Sequence, residues 1–326
     1  MNFEKIVVVT RRTRLQDLIA RFNTRAQAQF YIQHSGGDFA EYDDEDRTYE
    51  EAVKAIKRQL NAFTADLRIQ YIDRSFVSNF VFAPTDLIIV VGQDGLVANT
   101  AKYVGEQPII GVNPDPKRID GLLVPNGVPS VAAAVAATLE GKAATNNVTL
   151  AQVTTNDGQK LLGFNDLFIG ARSHVSARYN IGYGKQRESQ SSSGIIISTG
   201  AGSTGWLSSI FNMVASLDAF MGIAAPNATQ RPNLSWDTPE LMFVVREPFI
   251  SRHSSAGIVT GVIKSQDELI IESRMAAEGA IFSDGIESDF IPFNAGTIAR
   301  VKVAPQRARL VVSPAVAKAK TVNRVA

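Results

Sequence analysis

The sequence contains no cysteine at all. This absence excludes disulfide bonds, zinc sites built on thiolates and a cysteine nucleophile, and it fits a reducing compartment. Only three histidines are present, His34, His174 and His253, and their wide spacing is unlike that of metal ligands. We therefore predict no metal site built from protein side chains.

An excess of one charge and long apolar runs are also missing. The net charge is +1, which gives no indication of binding to nucleic acid or to an anionic membrane surface. No apolar stretch approaches the ~20 residues that span a bilayer, and Met1 to Thr10 lacks the pattern of a signal peptide. We expect a cytoplasmic globular protein of about two domains that binds small molecules.

The stretch from Asp86 to Gly95, DLIIVVGQDG, organises the first part of the chain. Leu87 to Val91 predicts a strand that is buried on both faces, as in a parallel sheet. Gly92 and Gly95 allow a sharp turn and a close approach to a ligand, and they enclose Asp94. A helix is predicted from Leu96 to Val104. This arrangement suits a phosphorylated ligand and proton transfer from a hydroxyl, although a purely structural turn has the same pattern.

Strands and helices alternate around this stretch. Apolar runs predict the strands Ile6 to Thr10, Leu67 to Ile72 and Pro108 to Val112, and helical periodicity runs from Arg14 to Gln33 and from Tyr49 to Phe63. The rhythm indicates a doubly wound α/β domain with a mainly parallel sheet over residues 1–145. Arg11, Arg12 and Arg14 follow the first strand, either to bind phosphates or as a solvated charge run.

Short strands and turns dominate after residue 145 and predict a second, β-rich domain over residues 146–326. One strand is predicted from Leu161 to Ile169, and Lys185 to Ser193 is predicted to be a loop or an exposed hairpin. Ala224 to Thr238 is predicted to be a surface loop. The tail from about residue 305 either packs back on the first domain or frays.

A glycine-rich loop marks the centre of the second domain. The predicted strand Ile195 to Ser198 leads into Thr199 to Trp206, TGAGSTGW, and a helix is predicted from Leu207 to Leu217. Backbone N–H groups and hydroxyls in such a loop suit a diphosphate or a ribose, and the alternative is a flexible linker. The loop is not a Walker A motif because no lysine follows its last glycine.

Seven short segments, taken in their order along the chain, resemble those of the NAD kinase family. The resemblance extends from Ile6 to about Val303. It is greatest to the divergent branch of the family that includes the animal mitochondrial-type enzymes. The segments that carry the resemblance are Gly92 to Gly95, Gly111 to Pro116 with Gly121 to Pro125, Phe164 to Asp166 with Phe168 to Gly170, Ser192 to Gly194, Gly200 to Trp206, Arg246 to Pro248, and Asp284 with Gly285.

The resemblance implies an α/β domain, a sandwich-like β domain and an active site between them. It implies phosphoryl transfer from ATP, or from polyphosphate, to the adenosine ribose 2′-hydroxyl of NAD to give NADP. Mg²⁺ would be held mainly by phosphate oxygens and water, and a homodimer is expected. Phosphoryl transfer needs positioning and charge neutralisation more than many catalytic side chains, which agrees with so sparse a set of motifs.

Site residues also follow from the resemblance. Asp94 becomes the general base and the carboxylate on the metal side, and Asn165 with Asp166 matches the Asn-Glu pair that holds adenine and ribose hydroxyls. Trp206 takes the place of a tyrosine and offers a face for stacking on a base. The remaining positions expected to contact a nucleotide are Gly92, Gly95, Asn113, Thr199, Gly202, Ser203, Thr204 and Asp284.

Two alternatives stay open. Gln93 stands where the family has glycine and Leu96 where it has threonine, which favours a dinucleotide-binding sensor or partner protein with weakened catalysis. A kinase of the same superfamily acting on a lipid or another small molecule shares the Gly-Asp-Gly turn, but the chain shows no basic, apolar membrane patch.

Overall fold

The structure, a computed structural model, describes residues 2–222 and 234–312 of the chain. The chain divides into two units. The first unit contains the residues up to Asn146 together with a C-terminal segment that starts at Arg309, and the second contains Asn147 to Ala308.

The first unit is built on a parallel sheet whose strands are short and rich in β-branched residues. These strands are β1 (Lys5–Thr10), β2 (Arg68–Asp73), β3 (Asp86–Val91), β4 (Pro108–Asn113) and β5 (Asn126–Gly127). Their order is β4-β3-β1-β2, and β4 also pairs in parallel with β5 and with residues 309–310. Every residue of β3 and β4 is buried, as expected for central parallel strands.

The described part of this unit contains five α-helices, which are α1 (Arg14–Phe22), α2 (Arg25–His34), α3 (Phe39–Leu60), α4 (Asp94–Ala101) and α5 (Val131–Leu139). The prediction of one helix from Arg14 to Gln33 is wrong. Asn23 adopts a left-handed conformation with φ 68° and ends α1, and the Thr24 hydroxyl accepts the Gln27 N–H to begin α2. One core cluster contains apolar residues of α3, α5 and the sheet, including Tyr49, Val135 and Ile89.

The second unit is built mainly of antiparallel strands. They are β6 (Thr145–Thr155), β7 (Lys160–Gly163), β8 (Asp166–Ala171), β9 (Ala177–Tyr183), β10 (Gln186–Ser192), β11 (Ile195–Ser198), β12 (Glu240–Val245), β13 (Thr260–Lys264), β14 (Leu269–Ser273), β15 (Gly279–Ser283), β16 (Ile286–Pro292) and β17 (Ile298–Val311), with β6 beginning and β17 ending in the first unit. One sheet has the order β13-β12-β11-β8-β15-β16, and the other contains the series β10-β9-β14-β17.

A shared core lies between these two sheets. Alternate residues from both sheets enter it, among them Ile169, Phe243 and Ile281 from one sheet and Tyr179 and Ile271 from the other. This is the packing of a β-sandwich. The prediction of an α/β domain followed by a β-rich, sandwich-like domain is therefore confirmed.

Three details of the second unit differ from the sequence predictions. The strand predicted from Leu161 to Ile169 is interrupted between β7 and β8, and the segment predicted as a loop or hairpin from Lys185 to Ser193 contains strand β10, which pairs with β9. The helix after the glycine loop, α6 (Trp206–Phe220), extends three residues beyond the predicted end. Residues 224–233 of the predicted surface loop lie outside the described residues.

Candidate functional site

In the first unit, the turn between β3 and α4 carries the predicted catalytic carboxylate. A Cβ atom on Gly92 would lie 2.8 Å from the end of the Leu96 side chain, so a larger residue here would displace that side chain. A Cβ atom on Gly95 would meet nothing within 4 Å, so Gly95 exposes bare backbone in the first turn of α4. This first turn is therefore accessible to a ligand from the side of Gly95.

The Asp94 carboxylate is held in place by the loop after β4. Its Oδ2 accepts the Leu122 N–H at 3.0 Å and its Oδ1 accepts the Leu123 N–H at 2.8 Å. Asp94 remains partly exposed. A carboxylate offers about four lone-pair sites, so two backbone donors fix its orientation and leave acceptor capacity for a ligand hydroxyl.

Asn113 organises that loop. Its side-chain amide donates to the Ile119 carbonyl at 2.8 Å, and its carbonyl oxygen accepts the Asp115 N–H at 3.0 Å. The residue is buried at the end of β4. These bonds shape the segment that delivers Leu122 and Leu123 to Asp94, so the contacts in the structure are those of a positioning residue.

The arginine run after β1 is largely paired. Glu45 accepts from Arg11 at 3.1 Å and from Arg14 at 2.6 Å, while Arg12 is exposed. Burial raises the pKa of the Glu45 carboxyl, but the hydrogen bonds from Arg14 and Arg11 outweigh it and hold this pKa below its usual value. Arg11 nevertheless lies next to Gly92, and its buried Nε has no hydrogen-bond partner among the residues that the structure describes.

In the second unit, the break between β7 and β8 is produced by one aspartate. The Asp284 carboxylate accepts the N–H groups of Phe164 at 2.9 Å, Asn165 at 2.6 Å and Asp166 at 3.3 Å. Asp284 reaches them from the two-residue turn between β15 and β16, where it has φ 54° and Gly285 has φ 68°. Two consecutive left-handed residues match a type I′ hairpin turn.

The glycine-rich loop after β11 packs onto the same break. The Thr199 hydroxyl donates to the Phe164 carbonyl at 2.6 Å, and the Thr199 N–H donates to the Asn165 carbonyl at 2.9 Å. The Gly202 N–H in turn donates to the Thr199 hydroxyl at 3.2 Å. A Cβ atom on Gly202 would lie 2.0 Å from the Asn165 carbonyl oxygen, so only glycine fits there.

These contacts bring several predicted site residues of the second unit together. Asn165, Asp166, Thr199, Gly202 and Asp284 form one cluster, which we call the β8 cluster. Ser203 and Thr204 continue the loop from it, with Ser203 donating to the Gly200 carbonyl at 2.7 Å and Thr204 exposed.

Asp166 is the unusual member of the β8 cluster. It is 8% exposed, and within the described chain no group donates a hydrogen bond to its carboxylate. Burial, with a smaller contribution from the negative charge of Asp284, raises the pKa of Asp166 to about 7. A buried carboxylate without a donor is costly, so this group is suited to accept a hydrogen bond from a ligand hydroxyl.

Trp206 begins α6 and lies against aromatic neighbours. Its ring stacks on Phe168 with centroids 5.7 Å apart and an interplanar angle of 13°, and the Arg246 guanidinium is 5.5 Å from its centroid. A cavity of about 140 Å³ is lined by Phe168, Trp206, Arg246 and Phe282, among others. The predicted stacking platform is therefore already in contact with one ring of the protein.

Sequence reasoning missed the donors that hold Asp94. Leu122 and Leu123 act through backbone N–H groups, so their side-chain types carry no signal of the role. The sequence does offer one hint, because the loop that contains the Gly121 to Pro125 motif is expected to lie beside the Gly92 turn if the two preceding strands are neighbours, and the structure pairs those strands. Within the described residues, no group of three or more His, Asp or Glu side chains is arranged to hold a metal ion, and no helix is long and apolar enough to cross a membrane.

The chain is similar to known kinases of pyridine nucleotides. No protein-family model matches it. It is 25% identical over 268 residues to a probable NADH kinase of Oryza sativa subsp. japonica, covering 74% of this chain and 75% of that protein. It is 31% identical over 164 residues to an NAD kinase of Clostridium kluyveri, covering 48% of this chain and 54% of that protein.

Solved structures show the same fold over nearly the whole chain. An NAD kinase from Archaeoglobus fulgidus in complex with ATP has a TM-score of 0.57 at 14% identity, covering 95% of this chain and 94% of that chain. Yeast NADH kinase complexed with NADH has a TM-score of 0.56 at 13% identity, covering 96% of this chain and 84% of that chain.

Proposed function

We propose that the chain is a member of the NAD kinase family and that it transfers the terminal phosphoryl group of ATP to the adenosine ribose 2′-hydroxyl of NAD, giving NADP. The observation that carries the proposal is the buried Asp166 carboxylate of the β8 cluster, which has no donor within the described chain. Ribose hydroxyls are donors of the kind that this carboxylate lacks.

The residues of the second unit are proposed to bind the dinucleotide. Asp166 accepts a ribose hydroxyl, and Asn165 offers an amide that pairs with an adenine edge. Ser203 and Thr204 present hydroxyl and backbone groups at the open end of the loop. Asp284 acts through the backbone that it holds, since three N–H groups already donate to its carboxylate.

In the first unit, Asp94 is proposed as the general base. The two N–H groups of Leu122 and Leu123 orient its carboxylate, and proton acceptance by an oriented carboxylate contributes a factor of ~10²–10⁴ in rate. The open backbone at Gly95 is proposed to contact the donor phosphates, because a helix N-terminus favours anions.

Mg²⁺ is proposed to enter with the donor rather than to reside in the protein. This ion keeps most of its water and binds phosphate oxygens with few protein ligands. When bound, it would neutralise charge on the transferred phosphoryl group. A cytoplasmic location remains a prediction.

A binding protein with weakened catalysis is the second candidate, and Gln93 favours it. This residue precedes Asp94 as the N-cap of α4, makes no side-chain capping bond and is exposed. A side chain at this position, where the family has glycine, is proposed to weaken the binding of a donor phosphate.

Incubation with NAD, ATP and Mg²⁺ separates the two candidates. We expect NADP, detected with an NADP-specific dehydrogenase, and parallel reactions with NADH or polyphosphate establish the acceptor and donor preferences. Absence of product in every arm, together with a higher unfolding temperature in the presence of NAD, would identify the binding protein instead.

A further inference from the structure

The arginine run after β1 lies at the point where the strand order of the first unit reverses. The order β4-β3-β1-β2 places β2 on one side of β1 and β3 on the other, so this switch point falls between β1 and β3. Open α/β sheets bind ligands in the crevice outside the carboxyl ends of the strands at such a point. Arg11 directly follows β1 and Gly92 directly follows β3, so both residues lie at this crevice.

The hydroxyl of Tyr49, on α3, bridges the ends of these two strands. The Arg11 N–H donates to the Tyr49 hydroxyl at 2.9 Å, and this hydroxyl donates to the Val91 carbonyl at 3.0 Å. The direct pairing of β1 with β3 ends at Val9 and Val90, so the hydroxyl takes the place of a further backbone bond between the strands. Burial, partly offset by the hydrogen bond from the Arg11 backbone, raises the pKa of Tyr49 and keeps its hydroxyl a donor.

The side chain of Arg11 is held at this crevice by several neighbours. Its guanidinium lies 5.1 Å from the centroid of the Tyr49 ring, and its Cδ lies 3.8 Å from the position of a Cβ atom on Gly92. Its two terminal nitrogens donate to Glu45 at 3.1 Å and to the Arg12 carbonyl at 3.0 Å. An arginine that is fixed before a ligand arrives loses little side-chain entropy on binding.

These contacts do not use the whole hydrogen-bonding capacity of Arg11. The residue shares the Glu45 carboxylate with Arg14, whose bond to it is the shorter, 2.6 Å against 3.1 Å. The Arg11 Nε is buried and has no acceptor among the residues that the structure describes. A guanidinium has five N–H donors, and their planar arrangement matches the oxygens of a phosphate group. A phosphate would therefore supply the acceptor that the Arg11 side chain lacks.

We propose that Arg11 binds a phosphate group of the phosphoryl donor and that Tyr49 positions it for this contact. The inference rests on the proposed kinase function and adds a side-chain contact to the backbone contact at Gly95. Of the two interpretations of the arginine run, phosphate binding applies to Arg11, and a solvated charge describes the exposed Arg12.

Donor binding in the absence of NAD tests the role of Arg11. Titration calorimetry measures the affinity of the full chain for ATP with Mg²⁺ and, separately, for inorganic tripolyphosphate. Arg11→Gln is expected to lower both affinities at least about tenfold, because charge-assisted hydrogen bonds to phosphate are lost. Arg11→Lys keeps the charge without the planar fork, so its affinities should lie between those of the wild type and Arg11→Gln. The matched control, Arg12→Gln, should change either affinity less than about twofold.

Two hydroxyl deletions on α3 test the role of Tyr49. Tyr49→Phe removes the bridge between the strand ends, whereas the Tyr42 hydroxyl makes no hydrogen bond within the described part of the chain, so Tyr42→Phe is the control. Tyr49→Phe is expected to weaken binding of both phosphate ligands by about threefold to tenfold. It should have no further effect in an Arg11→Gln background, because Tyr49 acts through Arg11. A hydroxyl with a merely structural role would lower the unfolding temperature and leave the affinities unchanged.

Several results would overturn the inference. Equal effects of Arg11→Gln and Arg12→Gln would show that the arginine run attracts phosphates only as a diffuse charge. A loss of affinity for ATP but not for tripolyphosphate would place Arg11 beside the nucleoside, and a wild type that binds neither ligand would leave it without a phosphate. Circular dichroism identifies any variant that does not fold, and Arg11→Lys is the milder change.

The outcome is separate from that of the kinase assay. The affinities are measured without NAD and without turnover, so a chain that forms no NADP would refute the proposed reaction while the binding data still decide the role of Arg11.

Discussion

The two units hold their acidic residues in opposite ways. Asp94, in the first unit, is partly exposed and accepts two backbone N–H groups. Asp166, in the second unit, is buried and accepts none within the described chain. The first carboxylate is oriented and partly exposed, which leaves it accessible to a substrate hydroxyl. The second is desolvated and incomplete, which suits a group that a ligand completes.

The largest effect is expected at the oriented carboxylate. Asp94→Asn removes the proton acceptor while preserving the shape of the side chain, so turnover is expected to fall by ~10²–10⁴. Binding of NAD should stay within about tenfold, because less than ~1.4 kcal/mol of binding energy is at stake. Steady-state kinetics measures the turnover, and titration calorimetry with NAD measures the binding affinity.

The control for this substitution is Asp120→Asn, a change of the same chemistry at an exposed aspartate near the same loop. This control substitution should leave both the turnover and the affinity for NAD unchanged. Undiminished turnover in Asp94→Asn would show that another group accepts the proton.

A pair of glycine substitutions compares the two units directly. Gly202→Ala forces a methyl group against the Asn165 carbonyl and is expected to lower the free energy of unfolding by about 1–3 kcal/mol. Gly95→Ala meets open space in a helix and should change stability by less than ~1 kcal/mol, in the stabilising direction.

The two substitutions should also affect the binding of different substrates. Gly202→Ala should abolish NAD-induced thermal stabilisation, whereas Gly95→Ala should raise the KM for ATP and leave NAD binding intact. Equal stability of the two variants in denaturant unfolding would contradict the close packing of the glycine loop on the β8 cluster.

The pH dependence of stability distinguishes the buried carboxylate from an exposed one. The folded pKa of Asp166, about 7, lies above the usual value of 3.8, so the folded state binds this proton more tightly than the unfolded state. Its contribution to stability is therefore present at low pH and is lost as the pH rises from about 4 to 7. Asp166→Asn should raise the free energy of unfolding by about 1–3 kcal/mol at pH 8 and hardly at all at pH 4.

Asp157, in the same unit, has a pKa that is shifted in the opposite direction. Hydrogen bonds from Thr155 and Gln159 lower the pKa of this exposed carboxyl, so its contribution is lost as the pH falls. Asp157→Asn should bring no gain at pH 8. Denaturant unfolding curves of both variants at pH 4 and pH 8 give these free energies of unfolding. An effect of Asp166→Asn that did not change with pH would show that its carboxylate is not desolvated.

The smallest effect is expected at Gln93. Gln93→Gly restores the family's glycine and removes no capping bond, and glycine is itself an acceptable N-cap residue. We expect turnover with ATP to be preserved or raised. A collapse in rate, with NAD binding unchanged, would show that the glutamine serves a different phosphoryl donor.

Local sequence patterns predicted the elements whose cause is local. The buried strands β1, β3 and β4 are runs of apolar residues, and the turn at Asp284-Gly285 is a dipeptide that favours left-handed φ angles. The break of the predicted strand at Phe164 and Asn165 could not be read in the same way. It exists because Asp284, more than a hundred residues later, takes the backbone N–H groups that a neighbouring strand would otherwise pair.

The errors have equally specific reasons. The predicted helix from Arg14 to Gln33 ignored Asn23 and Thr24, which together make a C-cap and an N-cap inside an otherwise helical pattern. Strand β10 is polar along most of its length, so no apolar alternation revealed it. The desolvation of Asp166 depends on the packing of the glycine loop and of Asp284, which no local pattern encodes.

The most direct test of the account is the site of phosphorylation in the product. NAD is incubated with the full chain, Mg²⁺ and ATP labelled in its γ-phosphate, and the nucleotide product is isolated and analysed by phosphorus NMR. The account predicts a labelled phosphate on the adenosine 2′-oxygen in the wild type and a loss of at least about a hundredfold in Asp94→Asn. A label at another position, or equal labelling by the two proteins, would contradict it.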